Sequence, residues 1–307
     1  MNFAPILLFV YNRPWHTRQT VEALRKNELA SKSKLFIYSD APKNEQDQKN
    51  VQEVRDYIQT IDGFKKITVI ERKKNWGLAD SIIDGVTAIL NKYKRVIVLE
   101  DDLVTSPFFL NYMNNGLDFY EFEDQIFTIS AYNHPPSLMK FPQRYPHDIY
   151  FNYRNSSWGW ATWKDRWKKA DWDIKDFNLF KNDKKRQSTF NRGGDDMSEM
   201  LISQMEGEIN SWAIRWSYTH FEHNAFSVCP VISYVDNVGH DGSGVHCGKN
   251  KKFTNDLLLS KKNVAFISDL EINEEIMSCF ARVYKRGLKY RAKQAIKKLI
   301  CYEMWKA

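Results

Sequence analysis

The sequence predicts an α/β fold, with a mostly parallel central sheet, helices on its faces and a helical C-terminal extension. Three observations carry this. Short apolar runs alternate with amphipathic stretches through the first half of the chain, the spacing of βαβ units. One run ends in three consecutive carboxylates, the kind of residue found at the mouth of a parallel sheet rather than inside it. From residue 251 the pattern reads as helices with a basic end.

Each element follows from its local pattern. "APILLFVY" (Ala4 to Tyr11) reads as a strand and is followed by an amphipathic stretch to Lys26. "KLFIYS" (Lys34 to Ser39) precedes a charged helical segment to Thr60. "ITVIER" (Ile67 to Arg72) leads into "LADSIIDGVTAILNKY" (Leu78 to Tyr93), with apolar residues at i, i+3, i+4 and i+7. A fourth run, Val96 to Leu99, meets Glu100, Asp101 and Asp102. "SPFF" (Ser106 to Phe109) then looks like a helix start, with Ser106 as cap and proline at the first helical position. "IFTISA" (Ile126 to Ala131) is the fifth strand. The second half is less regular. "RNSSWGWATWKDRWKKADW" holds five of the ten tryptophans, and a glycine-rich loop, "NVGHDGSGVH" (Asn237 to His246), follows the strand-like "VCPVISYV".

Bulk properties narrow the class. With 307 residues and 43% hydrophobic content the chain buries a large core. Its net charge of +7 belongs to the tail: residues 281 to 307 hold nine Lys or Arg and one Glu, so the remaining 280 residues sum to about −1. That distribution argues against a nucleic-acid partner. Cys229, Cys247, Cys279 and Cys301 form no CxxC pair and suggest neither zinc nor a disulfide framework. The apolar runs are too short to span a bilayer, and Met1 to Pro5 lack the regions of a signal peptide, so a cytoplasmic location is expected.

Three adjacent carboxylates repel one another and are costly to desolvate, so a strand end that holds them calls for a cation. An all-oxygen donor set favours Mg²⁺ or Mn²⁺, with coordination positions left for water and for a substrate's phosphates. Asn12, Arg13 and Asp40 also follow strands and fall on the same sheet edge. Gly239, Gly242 and Gly244 permit close backbone approach, so N–H groups of the loop, with Ser243 and His240 or His246, are candidates for holding phosphate oxygens. Trp158 and Trp160, flanking Gly159, are candidates for stacking on an acceptor sugar.

The ordered pieces "PILLFVYNRP", "SD" (Ser39-Asp40), "NWGLADSI", "VIVLEDDL", "TISAYN", "SWGWATW", "SWAIRW" and "NVGHDGSGVH" resemble a GT-A type nucleotide-sugar glycosyltransferase. Within that group they are similar to the N-acetylglucosaminyltransferase I and protein O-mannose N-acetylglucosaminyltransferase branch, which uses Glu-Asp-Asp. The resemblance implies a Rossmann-like α/β/α catalytic domain over residues 1–250, its nucleotide-sugar half about 1–135 and its acceptor half about 136–250, with residues 251–307 as the extension. It implies Asp102 as the metal ligand, with Asp101 and Glu100 near the ribose and donor sugar. It also implies Arg13 at the diphosphate, Asp40 at the uracil, and Asn75, Gly242, Ser243 and His246 on the donor side. The family's general base, an aspartate just before a Trp and an Arg, is missing: "GEINSWAIRW" has Asn210 and Ser211 there. Glu208 and Asp241 are the replacement candidates.

The expected activity is metal-dependent, inverting transfer of a sugar from a UDP-sugar to a hydroxyl of a glycan or lipid-linked glycan, in surface polysaccharide or glycolipid assembly. Two rivals stay open: a sugar nucleotidyltransferase, although "VYNRPWHT" has no glycine, and a non-catalytic glycan-binding protein, which gives no reason for "LEDD". In the tail, Tyr284, Leu288, Ala292, Ala295, Leu299 and Tyr302 line one helical face and basic residues fill much of the rest. That helix either lies on the inner face of the cell membrane or packs on the catalytic domain.

Overall fold

The computed structural model describes residues 3–243, 252–255, 257, 259 and 263–285. Four βα units open the chain: β1 (Ile6–Val10), α1 (Pro14–Arg25), β2 (Lys34–Ser39), α2 (Glu45–Ile58), β3 (Lys66–Glu71), α3 (Leu78–Lys92) and β4 (Arg95–Glu100), followed after the short β5 (Leu103–Thr105) by α4 (Phe109–Phe119). Next come β6 (Ile126–Ser130), β7 (Ile149–Asn152), β8 (Trp160–Trp163), α5 (Lys164–Trp167), α6 (Phe177–Asn182), α7 (Lys184–Phe190), α8 (Met197–Met205) and α9 (Trp212–Glu222). The described part closes with β9 (Phe226–Pro230), β10 (Val235–Asn237) and α10 (Glu274–Val283).

The main sheet has eight strands in the order β3-β2-β1-β4-β8-β6-β9-β7, and β10 pairs with β5 in a separate ribbon. β3, β2, β1 and β4 are parallel, β8 runs against both β4 and β6, β9 is parallel to β6, and β7 is antiparallel to β9. The carboxyl ends of β1, β2, β3, β4, β6 and β9 therefore share one edge.

Strand alternation builds the two apolar layers. Ile6, Leu8, Val10, Ile97 and Leu99 face α1, α2 and α4 through Val21, Leu24, Val54, Ile58, Leu110 and Leu117. Leu7, Phe9, Val96 and Val98 face α3 and α9 through Ile82, Val86, Ile89, Trp212 and Trp216. The mostly parallel α/β/α architecture is the one expected from the sequence.

Two local expectations are corrected. α4 begins at Phe109 with Phe108 as its cap residue. Ser106 closes the preceding turn, its hydroxyl accepting from the Phe108 N–H at 3.2 Å, so Pro107 lies outside the helix. In the C-terminal extension the described residues are helical only over Glu274–Val283. Residues 263–273 run irregularly along the domain because their apolar side chains have partners there: Phe266 stacks on Tyr112, and the Ile267 carbonyl accepts from the Tyr120 hydroxyl at 2.7 Å. Ile276, Met277 and Phe280 of α10 pack with Met139, Tyr150 and Cys229. Tyr284, the first residue of the expected apolar tail face, lies over the Arg154 guanidinium at 3.9 Å, with its hydroxyl 3.1 Å from His134 Nε2. The rest of that face falls outside the described residues.

Candidate active site

β4 delivers Glu100, Asp101 and Asp102 to the shared edge because an apolar strand cannot continue through three charges. The first turn of α1 meets them there. Arg13 donates through Nη2 to Asp101 Oδ1 and, at 2.8 Å, to Asp102 Oδ2. The Thr20 hydroxyl donates to the Asp101 carbonyl at 2.8 Å, which docks α1 on the cluster.

One guanidinium cannot neutralise three acids. Burial, together with the neighbouring Asp102 and Asp101 charges, pushes Glu100 up to about 8. Burial also raises Asp101, more than the Arg13 charge lowers it. Arg13 itself is raised, the attraction of both aspartates outweighing its burial. The cluster therefore carries a demand for positive charge beyond what Arg13 supplies.

The chain after β10 closes over this corner. The Val238 N–H donates to the Asp102 carbonyl at 2.9 Å, and the Gly239 N–H to Asn237 Oδ1 at 2.8 Å. Gly239 sits so close that a Cβ there would lie 2.9 Å from Asp102 Cγ and 2.9 Å from Arg13 Nη1. Beyond it, Asp241 Oδ1 accepts from the Ser243 N–H and hydroxyl at 2.9 and 2.6 Å, which with His16 holds the carboxyl down at about 2. Gly242 adopts φ +95°, a conformation natural to glycine. His246 lies outside the described residues.

At the ends of β2 and β3 a second group forms. Asp40 is buried, and its carboxylate accepts from the N–H groups of Ala41, Trp76 and Gly77 at 2.9 Å each. Asn75 Nδ2 donates back to the Ala41 carbonyl at 2.7 Å. These two residues, expected at the donor, fasten the loop before α3 to the end of β2, and the Asp40 oxygens are already engaged by main-chain donors. Beside them the Tyr11 hydroxyl and Asn12 Nδ2 donate to Asp47 of α2 at 2.9 and 2.6 Å. Burial, with Asp47, pushes the Tyr11 phenol up to about 12.

The two tryptophans separate. Trp160 is 1% exposed and stacks on Trp212 and Trp167 at 4.8 and 5.6 Å, so its expected place at an acceptor is corrected: the ring is core. Trp158 is half-buried, edge-on to Tyr132 at 4.4 Å and to His240 at 5.3 Å, under the loop after β10. Glu208 is exposed in the turn between α8 and α9, where its Oε2 accepts from the Ser203 hydroxyl at 2.8 Å. The same turn brings Asn210 Nδ2 to 4.0 Å from the Cβ position of Gly77.

A metal ion is compatible with this corner on one condition. Among the described residues no three His, Cys, Asp or Glu side chains form a cage for a cation. Asp102, hard and partly accessible, would be the one protein ligand, and the other positions would fall to phosphate and water oxygens, as Mg²⁺ and Mn²⁺ accept. The unmet positive-charge demand of the three acids fits that role.

Sequence reading missed His16, whose Nε2 lies 3.1 Å from Asp241 Oδ2. Its position three residues after Arg13 puts both on one side of a helical turn, but nothing in the sequence announces the distant aspartate.

The Glycosyl transferase family 2 profile matches residues 6–190. An Arabidopsis thaliana alpha-1,3-mannosyl-glycoprotein 2-beta-N-acetylglucosaminyltransferase is 24% identical over 249 residues, 70% of this chain and 53% of its own. The chain thus spans about half the length of that relative. Among solved structures, S. aureus TarS 1-349 is similar with a TM-score of 0.40 and 10% identity, over 75% of this chain and 59% of that one. The mannosyltransferase PcManGT from Pyrobaculum calidifontis, in complex with GDP-Man and Mn²⁺, has a TM-score of 0.39 and 9% identity, over 71% of this chain and 74% of its own.

Proposed function

Since this chain belongs to glycosyl transferase family 2 and is a glycosyltransferase, we propose that it transfers a sugar from a UDP-sugar, with Mn²⁺ or Mg²⁺ bound and with inversion, to a hydroxyl of a glycan or lipid-linked glycan. The observation that carries the reading is the convergence of Asp102, Arg13 and the Val238–Gly239 backbone at the carboxyl end of β4. The donor sugar in this reading is a hexose or an N-acetylhexosamine, and the likeness to the Arabidopsis N-acetylglucosaminyltransferase supports the second.

In this reading Arg13 and the backbone of the loop after β10 face the departing diphosphate, and Asp102 holds the ion. When bound, the ion supplies Lewis-acid charge that offsets the negative charge growing on the leaving group. Glu100 and Asp101 line the donor ribose and sugar. Asp40 and Asn75 act by holding the Trp76–Gly77 backbone where the base lies. Trp158 offers the acceptor an aromatic edge. Glu208, two residues before Asn210 in the turn that approaches Gly77, takes the proton from the acceptor hydroxyl during in-line attack, which leaves the anomeric carbon inverted. Asp241, held far down in its titration, is the weaker base.

Release of UDP, measured across a donor panel with and without Mn²⁺, tests the proposal. Asp102→Asn keeps the shape and removes the charge, so transfer should fall by orders of magnitude with the fold intact. Full activity in Asp102→Asn, or in excess chelator, would refute the metal assignment.

A further inference from the structure

The first turn of α1 touches both sides of the candidate site. Arg13, at its start, bridges Asp101 and Asp102. His16, three residues on and therefore on the same side of the helix, faces the opposite bank: its Nε2 lies 3.1 Å from Asp241 Oδ2. The His16 side chain is 8% exposed, whereas that of Asp241 is 49% exposed. The buried ring is thus the fixed partner, and the aspartate, on a turn, is the one fastened.

What is fastened matters because of its other attachments. The same segment donates from Val238 N–H to the Asp102 carbonyl and brings Gly239 against the Asp102 carboxylate. Between Val238 and Ser243, ties to Asp102 at one end and to α1 at the other fix the backbone across the acid cluster. The Ser243 contacts stiffen the turn at Asp241, and Thr17, adjacent to His16, is buried and donates its hydroxyl to the Arg13 carbonyl at 2.9 Å. The ring is set by a well-packed helical turn.

We propose that His16 is a positioning residue for sugar transfer: by pairing with Asp241 it holds the Val238–Ser243 segment over Asp102, so that the loop backbone and the carboxylate meet the donor in fixed register. This rests on the donor reading above and assigns Asp241 to the loop rather than to proton transfer. Removing either partner loosens the same segment, so the two losses should not add.

The experiment compares His16→Ala, His16→Gln, Asp241→Asn and the His16→Ala/Asp241→Asn double variant in the full chain. Two readouts are used: hydrogen exchange of the Val238–Ser243 amides without ligand, and kcat and KM for the nucleotide-sugar donor. Expected are faster exchange in His16→Ala and Asp241→Asn, a drop in kcat/KM of roughly tenfold in each, carried mainly by donor KM, no further drop in the double variant, and recovery in His16→Gln, whose amide still donates. Asp241 is exposed, so Asp241→Asn keeps the test valid even where His16→Ala misfolds. Unchanged exchange, unchanged transfer or additive losses overturn the proposal. A collapse of kcat in Asp241→Asn with His16→Ala near parent also overturns it and returns Asp241 to the chemical step. Absence of transfer by the parent with any donor sinks the donor reading instead, while exchange still decides whether the pair holds the loop.

Discussion

Replacement of Gly239 by alanine adds one methyl group at the point where the loop after β10 meets the acid cluster. The new Cβ would stand 2.9 Å from Asp102 Cγ and 2.9 Å from Arg13 Nη1, and closer still to Asp102 Oδ2. Carbon atoms settle at about 3.5–4.0 Å, so the carboxylate carbon must withdraw by roughly 0.6 Å or more, and its oxygen by about 1 Å. The neighbours have little room to give, since Asp102 is bonded to Arg13 and Arg13 also to the buried Asp101. The residue's φ lies outside the region reserved for glycine, so the effect is one of displacement, not of backbone strain.

A misplacement of about 1 Å at a reacting group costs on the order of a hundredfold in rate, or about 2.7 kcal/mol of barrier. Gly239→Ala should therefore lower kcat/KM for transfer by about that factor, while the urea midpoint and circular dichroism stay near those of the parent, because the methyl group enters the cleft edge and not the core. The assay is steady-state UDP release at saturating acceptor with Mn²⁺ titrated in parallel, and the variant should also need more Mn²⁺. Parent-like turnover in a folded Gly239→Ala protein would refute the placement of Asp102 and the loop at the reacting centre.

Trp160→Ala should destabilise the fold by about 3–5 kcal/mol in urea unfolding, as loss of a large core ring does, whereas Trp158→Ala should chiefly raise the acceptor KM. Asp40→Ala strands the N–H groups of Ala41, Trp76 and Gly77, with a stability loss of about 2 kcal/mol or more and weaker donor binding by calorimetry. Buried His220, which burial lowers to about 4, is neutral when folded and takes up a proton near 6.5 when unfolded. Its contribution is complete above pH 6.5 and lost as pH falls toward 4, about 3 kcal/mol in all, and a urea midpoint that stays flat across that window would contradict it.

What the sequence made legible is what local chemistry decides. Val96 to Leu99 had to be a strand and the strand had to end at the acids, with Glu100 as its last residue and Asp101 and Asp102 beyond it, because charges of one sign do not continue an apolar run through a core. The parallel order of the first four strands followed from the helices between them. Interpretation failed wherever a residue's role depends on a partner brought in by the fold. Position alone puts Asp40 at the mouth of the sheet, and only the fold brings the N–H groups of residues 76 and 77 onto its oxygens. Trp158 and Trp160 share strand parity, but Gly159 at φ +68° turns the chain between them and sends one ring under the loop and the other into the core.

The pairing of His16 with Asp241 is the extreme case of that failure. β5 and β10 are three residues long, too short for a periodic signal, yet their antiparallel register sets Asn237 opposite Leu103. That register carries the chain from β10 across the Asp102 corner. Only then does a histidine of the first helix meet an aspartate 225 residues further along the chain. The chemistry of the cluster was written locally, in three acids that cannot share a buried strand. Its fastening depends on a short ribbon that no window of the sequence reveals, so substitutions in β5 or β10 should disturb transfer through loop placement while leaving the acids themselves untouched.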